Sequence, residues 1–154
     1  MTPRLTIQKT LFALVCCLTF SAGAFAADGF TISEKMLSSF KQTFPDAEQV
    51  KWLESADRYT VNFKENGILT KIDYDKDGNF ISSLRYYSEK NLPINILCRL
   101  QKKFADKKVF GVTEMTTDAV VEYYIKLEDA DNWITVKSNA DGNMQVVEKY
   151  KKAP

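Results

Sequence analysis

Two stretches of this chain carry the same succession of residues, and their spacing restricts the folds that can accommodate it. Leu37, Phe40 and Phe44 recur as Leu97, Leu100 and Phe104 at a constant shift of 60. Tyr59, Val61, Phe63, Asp77, Gly78, Asn79 and Tyr86 recur as Tyr123, Ile125, Leu127, Asp141, Gly142, Asn143 and Tyr150 at a constant shift of 64. One register held through several elements marks a duplicated supersecondary unit. The change of offset by four predicts an insertion around residues 107–117, where a loop would absorb the added length.

Each copy reads as a helix followed by four strands. In the first, Met36, Leu37, Phe40 and Phe44 fall on one face at three- and four-residue spacings, which predicts a helix over residues 31–44. Thr31 and Glu34 fit a capping box, and Pro45-Asp46 ends the helix. Residues 50–53, 59–64, 68–74 and 79–87 are rich in aromatic and β-branched side chains, with the hairpin signals Asn66-Gly67 and Asp77-Gly78 between them. The second copy opens at Asn91-Leu92-Pro93 with Leu97, Leu100 and Phe104 on its helix. Its strands are expected at 109–115, 120–128, 133–137 and 143–150. The predicted fold class is α+β, with repeat 1 over about 31–88 and repeat 2 over about 91–152. Each unit thus reads as a helix plus a four-stranded antiparallel meander, in tandem.

The first 26 residues stand apart from this pattern. Arg4 and Lys9 precede an apolar run over 11–20 and the small-residue stretch Ser21-Ala22-Gly23-Ala24-Phe25-Ala26-Ala27. This is the layout of a Sec signal peptide, with cleavage expected after Ala26. A retained membrane anchor would need about 20 apolar residues, more than this run supplies. A lipid anchor on Cys16 or Cys17 would need a small preceding residue, where Val15 and Cys16 stand. Cleavage leaves residues 27–154, removes Arg4, Lys9, Cys16 and Cys17, and turns the formal charge of +1 into −1. Cys98 then has no intramolecular partner, and its place in a helix predicts a small buried hydrophobe. The expected location is the periplasm or the exterior, without stable membrane insertion.

Composition narrows the chemistry. The chain has no histidine, which removes His-based triads and HExxH zinc sites. A near-zero charge argues against nucleic acid as partner. No nucleophile elbow, phosphate loop or metal-ligand cluster is visible, so neither enzymatic activity nor a cofactor is expected. The stretch Asp73-Tyr74-Asp75-Lys76-Asp77-Gly78 copies the first half of an EF-hand loop, but its twelfth position is Leu84, where calcium needs a bidentate glutamate. A strand and a tight acidic turn explain the same residues, and a calcium- or small-ligand-binding envelope protein is the alternative function. Arg99, Lys102, Lys103, Lys107 and Lys108 form a basic group that could meet anionic lipid, or be a solvated helix face.

With the helix ending Phe44-Pro45-Asp46-Ala47, followed by Val50-Lys51-Trp52, Tyr59-Thr60-Val61-Asn62-Phe63, Tyr74-Asp75-Lys76-Asp77-Gly78-Asn79 and Leu92-Pro93, the chain resembles the beta-lactamase-inhibitor-like, PepSY-like domain family. The resemblance implies a periplasmic or secreted protein of BLIP-like fold, in which the two helix-plus-meander units form one curved antiparallel sheet with the helices on one face. It also implies a non-catalytic binder of a protein or peptide. PepSY domains are associated with control of peptidases, and the beta-lactamase inhibitor protein clamps its enzyme with the concave face of such a sheet.

If only one face is covered, strand alternation assigns the other to binding. Tyr59, Val61, Phe63, Ile72, Leu84, Ile125, Leu127, Val136 and Val146 suit the face under the helices. Thr60, Asn62, Lys71, Asp73, Arg85 and Tyr87, with Tyr124, Lys126, Trp133, Thr135, Lys137 and Lys149, suit the open face. Among these, Tyr87, Arg85, Tyr124, Trp133, Lys71 and Lys137 are the candidate partner-binding residues, since Trp, Tyr and Arg anchor interfaces. The competing explanation is that the aromatics brace cross-strand pairs.

Overall fold

The computed structural model describes residues 32–153. The expected signal peptide and the Thr31 cap lie outside them. The element order is α1 (Glu34–Thr43), β1 (Glu48–Glu54), β2 (Arg58–Glu65), β3 (Ile68–Asp75), β4 (Phe80–Tyr87), a 3₁₀ turn at Glu89–Asn91, α2 (Ile94–Lys103), β5 (Lys108–Thr117), β6 (Val121–Glu128), β7 (Asn132–Asn139) and β8 (Met144–Lys151). All eight strands form one sheet in sequence order, each antiparallel to the next. The expected α+β architecture is the observed one.

Local chemistry explains the elements. Ser33 caps α1, its Oγ accepting from the Met36 amide at 3.2 Å. α1 and α2 end alike, the amides of Phe44 and Phe104 donating to the carbonyls of Phe40 and Leu100. The β3–β4 and β7–β8 hairpins are copies: Gly78 (φ 88°) donates to the Asp75 carbonyl and Gly142 (φ 81°) to the Asn139 carbonyl. A three-residue hairpin loop needs its last residue in the left-handed region, which glycine enters without a Cβ clash.

Each helix covers its own core on the same side of the sheet. Under α1, Phe40 packs with Val61, Phe63 and Ile72, bordered by Phe44, Trp52, Tyr74 and Phe80. Ring centroids there lie 4.8–5.4 Å apart for Phe44–Phe63, Phe40–Phe63 and Phe40–Trp52, within the range that edge-to-face and tilted pairs favour. Under α2, Ile96 and Leu100 pack with Tyr87, Val112, Tyr123, Ile125, Leu127, Ile134 and Val136. At equivalent positions Phe40, Phe63 and Trp52 thus become Leu100, Leu127 and Val112. The duplicated scaffold accepts an aromatic or an aliphatic filling because volume and patterning matter more than identity.

The inserted residues lie at the far end of the expected stretch and lengthen a strand as well as a loop. Glu54 pairs with Tyr59 and Glu114 with Tyr123, so the shift of 60 persists through Glu114. The insertion is at the β5–β6 hairpin, where β5 runs on to Thr117. Its added residues Met115, Thr116 and Thr117 pair with Leu84, Ser83 and Ser82 of β4. β1 is a sheet edge, whereas β5 has neighbours on both sides and uses the extra length to join the two units.

Three expectations fail. Arg85 pairs with Thr70, and Tyr87 with the core residue Val112, so both lie on the helix-bearing face while Leu84 faces away. Lys149 pairs with the buried Ile134 because a bulge in β8 reverses the alternation beyond Val146. Cys98 is exposed, one helical position past Leu97 and therefore turned about 100° away from the apolar stripe.

Candidate functional site: the helix-free face of the sheet

Alternation about the core residues places Lys71 and Asp73 on the helix-free face in the first unit, and Glu122, Tyr124, Lys126, Trp133, Thr135, Lys137, Glu148 and Tyr150 in the second. Of the six candidate binding residues, Lys71, Tyr124, Trp133 and Lys137 share this face. Arg85 and Tyr87 serve instead at the seam between units, where both hold Glu114, Arg85 at 3.1 Å.

The second unit carries the denser surface. Trp133 on β7 lies opposite Tyr150 on β8. The Phe110 ring meets Trp133 edge-on at 5.0 Å and 84°. Cations sit over these rings: Lys152 Nζ is 4.8 Å from the Trp133 centroid and Lys126 Nζ 4.4 Å from that of Tyr150. Beside them Tyr124 pairs with Lys137 in register. The Tyr124 hydroxyl donates to Glu122 at 3.1 Å, and Lys137 Nζ meets the same carboxylate at 2.7 Å. That ammonium holds the Glu122 carboxyl below its usual range and is itself raised in return. Lys152 and then Lys108 do the same to Glu128. Glu122 and Glu128 thus hold Lys137 and Lys152 beside the Tyr124 and Trp133 rings.

The first unit repeats the apolar part of this arrangement. Leu69 and Tyr86 are register partners at the positions equivalent to Trp133 and Tyr150. They are 51% and 40% exposed, against 49% for Tyr150 and 68% for Phe110. Around them the chemistry is more polar: Asp73 accepts from Thr60, meets Lys71 Nζ at 3.2 Å and lies 3.5 Å from the Ser82 hydroxyl.

Sequence reasoning missed Phe110, Tyr150, Lys152, Leu69 and Tyr86. The repeat held a usable signal for Tyr150, since it matches Tyr86 at the shift of 64. Phe110 was concealed by a bulge between Val109 and Gly111. Strict alternation from Val112 would send Phe110 inward; the extra residue sends it outward instead, beside a glycine whose missing side chain leaves open space.

Among the described residues no three His, Cys, Asp or Glu side chains gather as a metal site. Asp75 accepts from the Asp77 and Asn79 amides and from Asn79 Nδ2, all within its own turn. The basic group is likewise engaged in structure: Lys103 donates to the Met144 carbonyl at 3.0 Å and Lys107 bridges Asp106 and Asp129.

Solved structures share this architecture. A BLIP-like protein from Bacteroides fragilis is 16% identical, with TM-score 0.57 over 77% of this chain and 85% of its own. The fold is BLIP-like. A DUF2874 family protein from Bacteroides ovatus aligns with TM-score 0.58 at 20% identity, over 80% of this chain and 89% of its own. A Bacteroides eggerthii chain, named provisionally as periplasmic, aligns with TM-score 0.57 at 15% identity over 77% and 88%. No family model and no curated protein matches this sequence. At these identities the BLIP-like fold is what is shared. Among the described residues no helix is long and apolar enough to cross a membrane.

Proposed function

We propose that this chain is a non-catalytic protein-binding module that engages a protein or extended peptide through the helix-free face of its sheet, as an inhibitor or modulator of a peptidase or other hydrolase. One observation carries the proposal: the cross-strand pair of half-buried Trp133 and exposed Tyr150, reinforced by exposed Phe110, recurs as the exposed pair Leu69–Tyr86 in the first unit. The two pairs lie four strands apart, roughly 19 Å at the usual strand spacing. Paired aromatic anchors ringed by charge are the composition of interface hot spots. The BLIP-like fold and the resemblance to an inhibitor family support the same direction. The residues before the first helix, read as a cleavable signal peptide, fit a periplasmic or secreted setting.

The test is a panel of purified beta-lactamases and envelope peptidases assayed with the protein present. Inhibition or saturable binding that is lost in Phe110→Ala/Trp133→Ala, with an unchanged circular dichroism spectrum, supports the proposal. Binding that survives this variant and its first-unit counterpart Leu69→Ala/Tyr86→Ala would place the interface elsewhere and overturn it.

A further inference from the structure

The duplication supplies an internal comparison on the opposite, helix-bearing side. In the second unit, three side chains of α2 span the gap to the β7–β8 hairpin. Asn95 Nδ2 donates to the Ala140 carbonyl at 3.0 Å and Lys103 Nζ to the Met144 carbonyl at 3.0 Å. Between them the Arg99 side chain crosses Gly142, its Cδ and Nε only 2.9 and 3.3 Å from where a Cβ would stand. The equivalent residues of α1 are Lys35, Ser39 and Thr43. Ser39 and Thr43 are too short to span the gap, and the Thr43 hydroxyl donates to the Ser39 carbonyl at 2.9 Å. What Arg99 and Lys103 fill in one unit is in the other a cleft of about 450 Å³ between α1 and the β3–β4 hairpin, walled by Met36, Tyr59, Tyr74, Asp77 and Asn79.

We propose that this cleft binds an arginine side chain of a peptide or protein, supplied from outside in the place that Arg99 takes from within the second unit. Its walls suit a guanidinium. Asp77 brings a carboxylate to the rim, next to the fully engaged Asp75. Tyr74 lines the cleft with a half-buried ring, and guanidinium planes stack on aromatic and peptide faces as an ammonium does not. Of the cleft's two lysines, Lys76 is neutralised by Glu54 at 2.7 Å and lies 4.2 Å over the Tyr59 ring. Lys35 is left at the helix rim. Only the tip of Met36 leans across, its Cε 3.1 Å from the Cβ position at Gly78, and methionine adapts readily to an incoming group.

The experiment is an NMR titration of the ¹⁵N-labelled chain with argininamide, lysinamide and glutamate. Argininamide is expected to give saturable shifts confined to Ser39, Asp77, Gly78 and Asn79, lysinamide weaker ones and glutamate none. Ser39→Arg, on an exposed helix position where arginine is a good helix former, should fill the cleft from within, abolish those shifts and raise Tm. Arg99→Ser should open the second cleft and add Asp141, Gly142 and Asn143 to the responding set. No saturable response to argininamide, an undiminished one in Ser39→Arg, or a preference for glutamate would each overturn the proposal. Trp133→Ala should leave the titration unchanged, which separates this site from the sheet face.

Discussion

The Tyr87 hydroxyl donates to Oε2 of Glu114, whose Oε1 is held by Arg85 at 3.1 Å. This shared carboxylate ties β4 to β5 and so ties one unit to the other. Tyr87→Phe removes a bond to a charged acceptor and should cost about 1.5–3 kcal/mol in urea unfolding. Burial, and then the bond to Glu114, raise the Tyr87 pKa above its ordinary 10.0. The folded state therefore keeps its proton where the unfolded chain loses it, and stability should fall as pH rises above 10. Tyr87→Phe should flatten that alkaline limb; an unaltered limb would assign it to other tyrosines.

On the acid side Asp129 is the group to follow. The Asn132 side chain, then Lys107, hold its carboxyl well below the usual range. A depressed carboxylate stabilises the fold above its unfolded pKa and loses that contribution as pH falls through the folded one. Asp129→Asn should destabilise the protein at neutral pH and weaken the loss of stability below pH 3.8, as read from urea midpoints across an acid series.

The two hairpin glycines provide a matched pair. Both Gly78→Ala and Gly142→Ala force alanine into the left-handed region, at about 1–2 kcal/mol. At Gly142 the new Cβ also meets Arg99 Cδ in mid-chain, whereas at Gly78 it meets only the mobile tip of Met36. Gly142→Ala should be the costlier, and adding Arg99→Ala should recover part of the difference. Equal Tm losses would show that the stem of Arg99 yields freely.

Phe40→Ala should cost about 3–5 kcal/mol and Leu100→Ala about 2–5, since each is a buried helix residue seated in its own unit's core. The cores have no shared member, so the double variant should be additive within about 0.5 kcal/mol. A larger coupling in chemical denaturation would mean that one core transmits its packing to the other through the β4–β5 seam.

Cys98 should react with a thiol reagent in the folded protein nearly as fast as in urea, and Cys98→Ser should leave Tm unchanged. Protection of the native thiol would contradict its exposed position.

Much of this was legible in the residues. The helix stripe, the hairpin glycines and the repeat are local signals, and the structure reproduces them at the same shifts. The faces were less legible. On β4, Leu84 and Tyr86 share one parity and Arg85 and Tyr87 the other, so both parities carry an aromatic and hydrophobicity alone chooses wrongly. Tyr87 turns inward because the 3₁₀ turn and α2 bring Leu92 and Ile96 into the same core, and Arg85 follows because Glu114 meets it across the seam. Of the residues expected on the open face, Trp133, Tyr124, Lys71 and Lys137 accordingly lie there, and the two β4 residues Arg85 and Tyr87 do not.

The amino-acid sequence by itself determined the unit, its duplication and the antiparallel meander, because hydrophobic period and turn chemistry act over a few residues. Only the tertiary structure decided where Phe110, Tyr150 and Lys149 point, since a single bulged residue reverses every side chain beyond it. It also decided that Arg99 closes one cleft while Ser39 leaves its twin open. Bulge position and cleft filling depend on partners many residues away, and no local pattern records them.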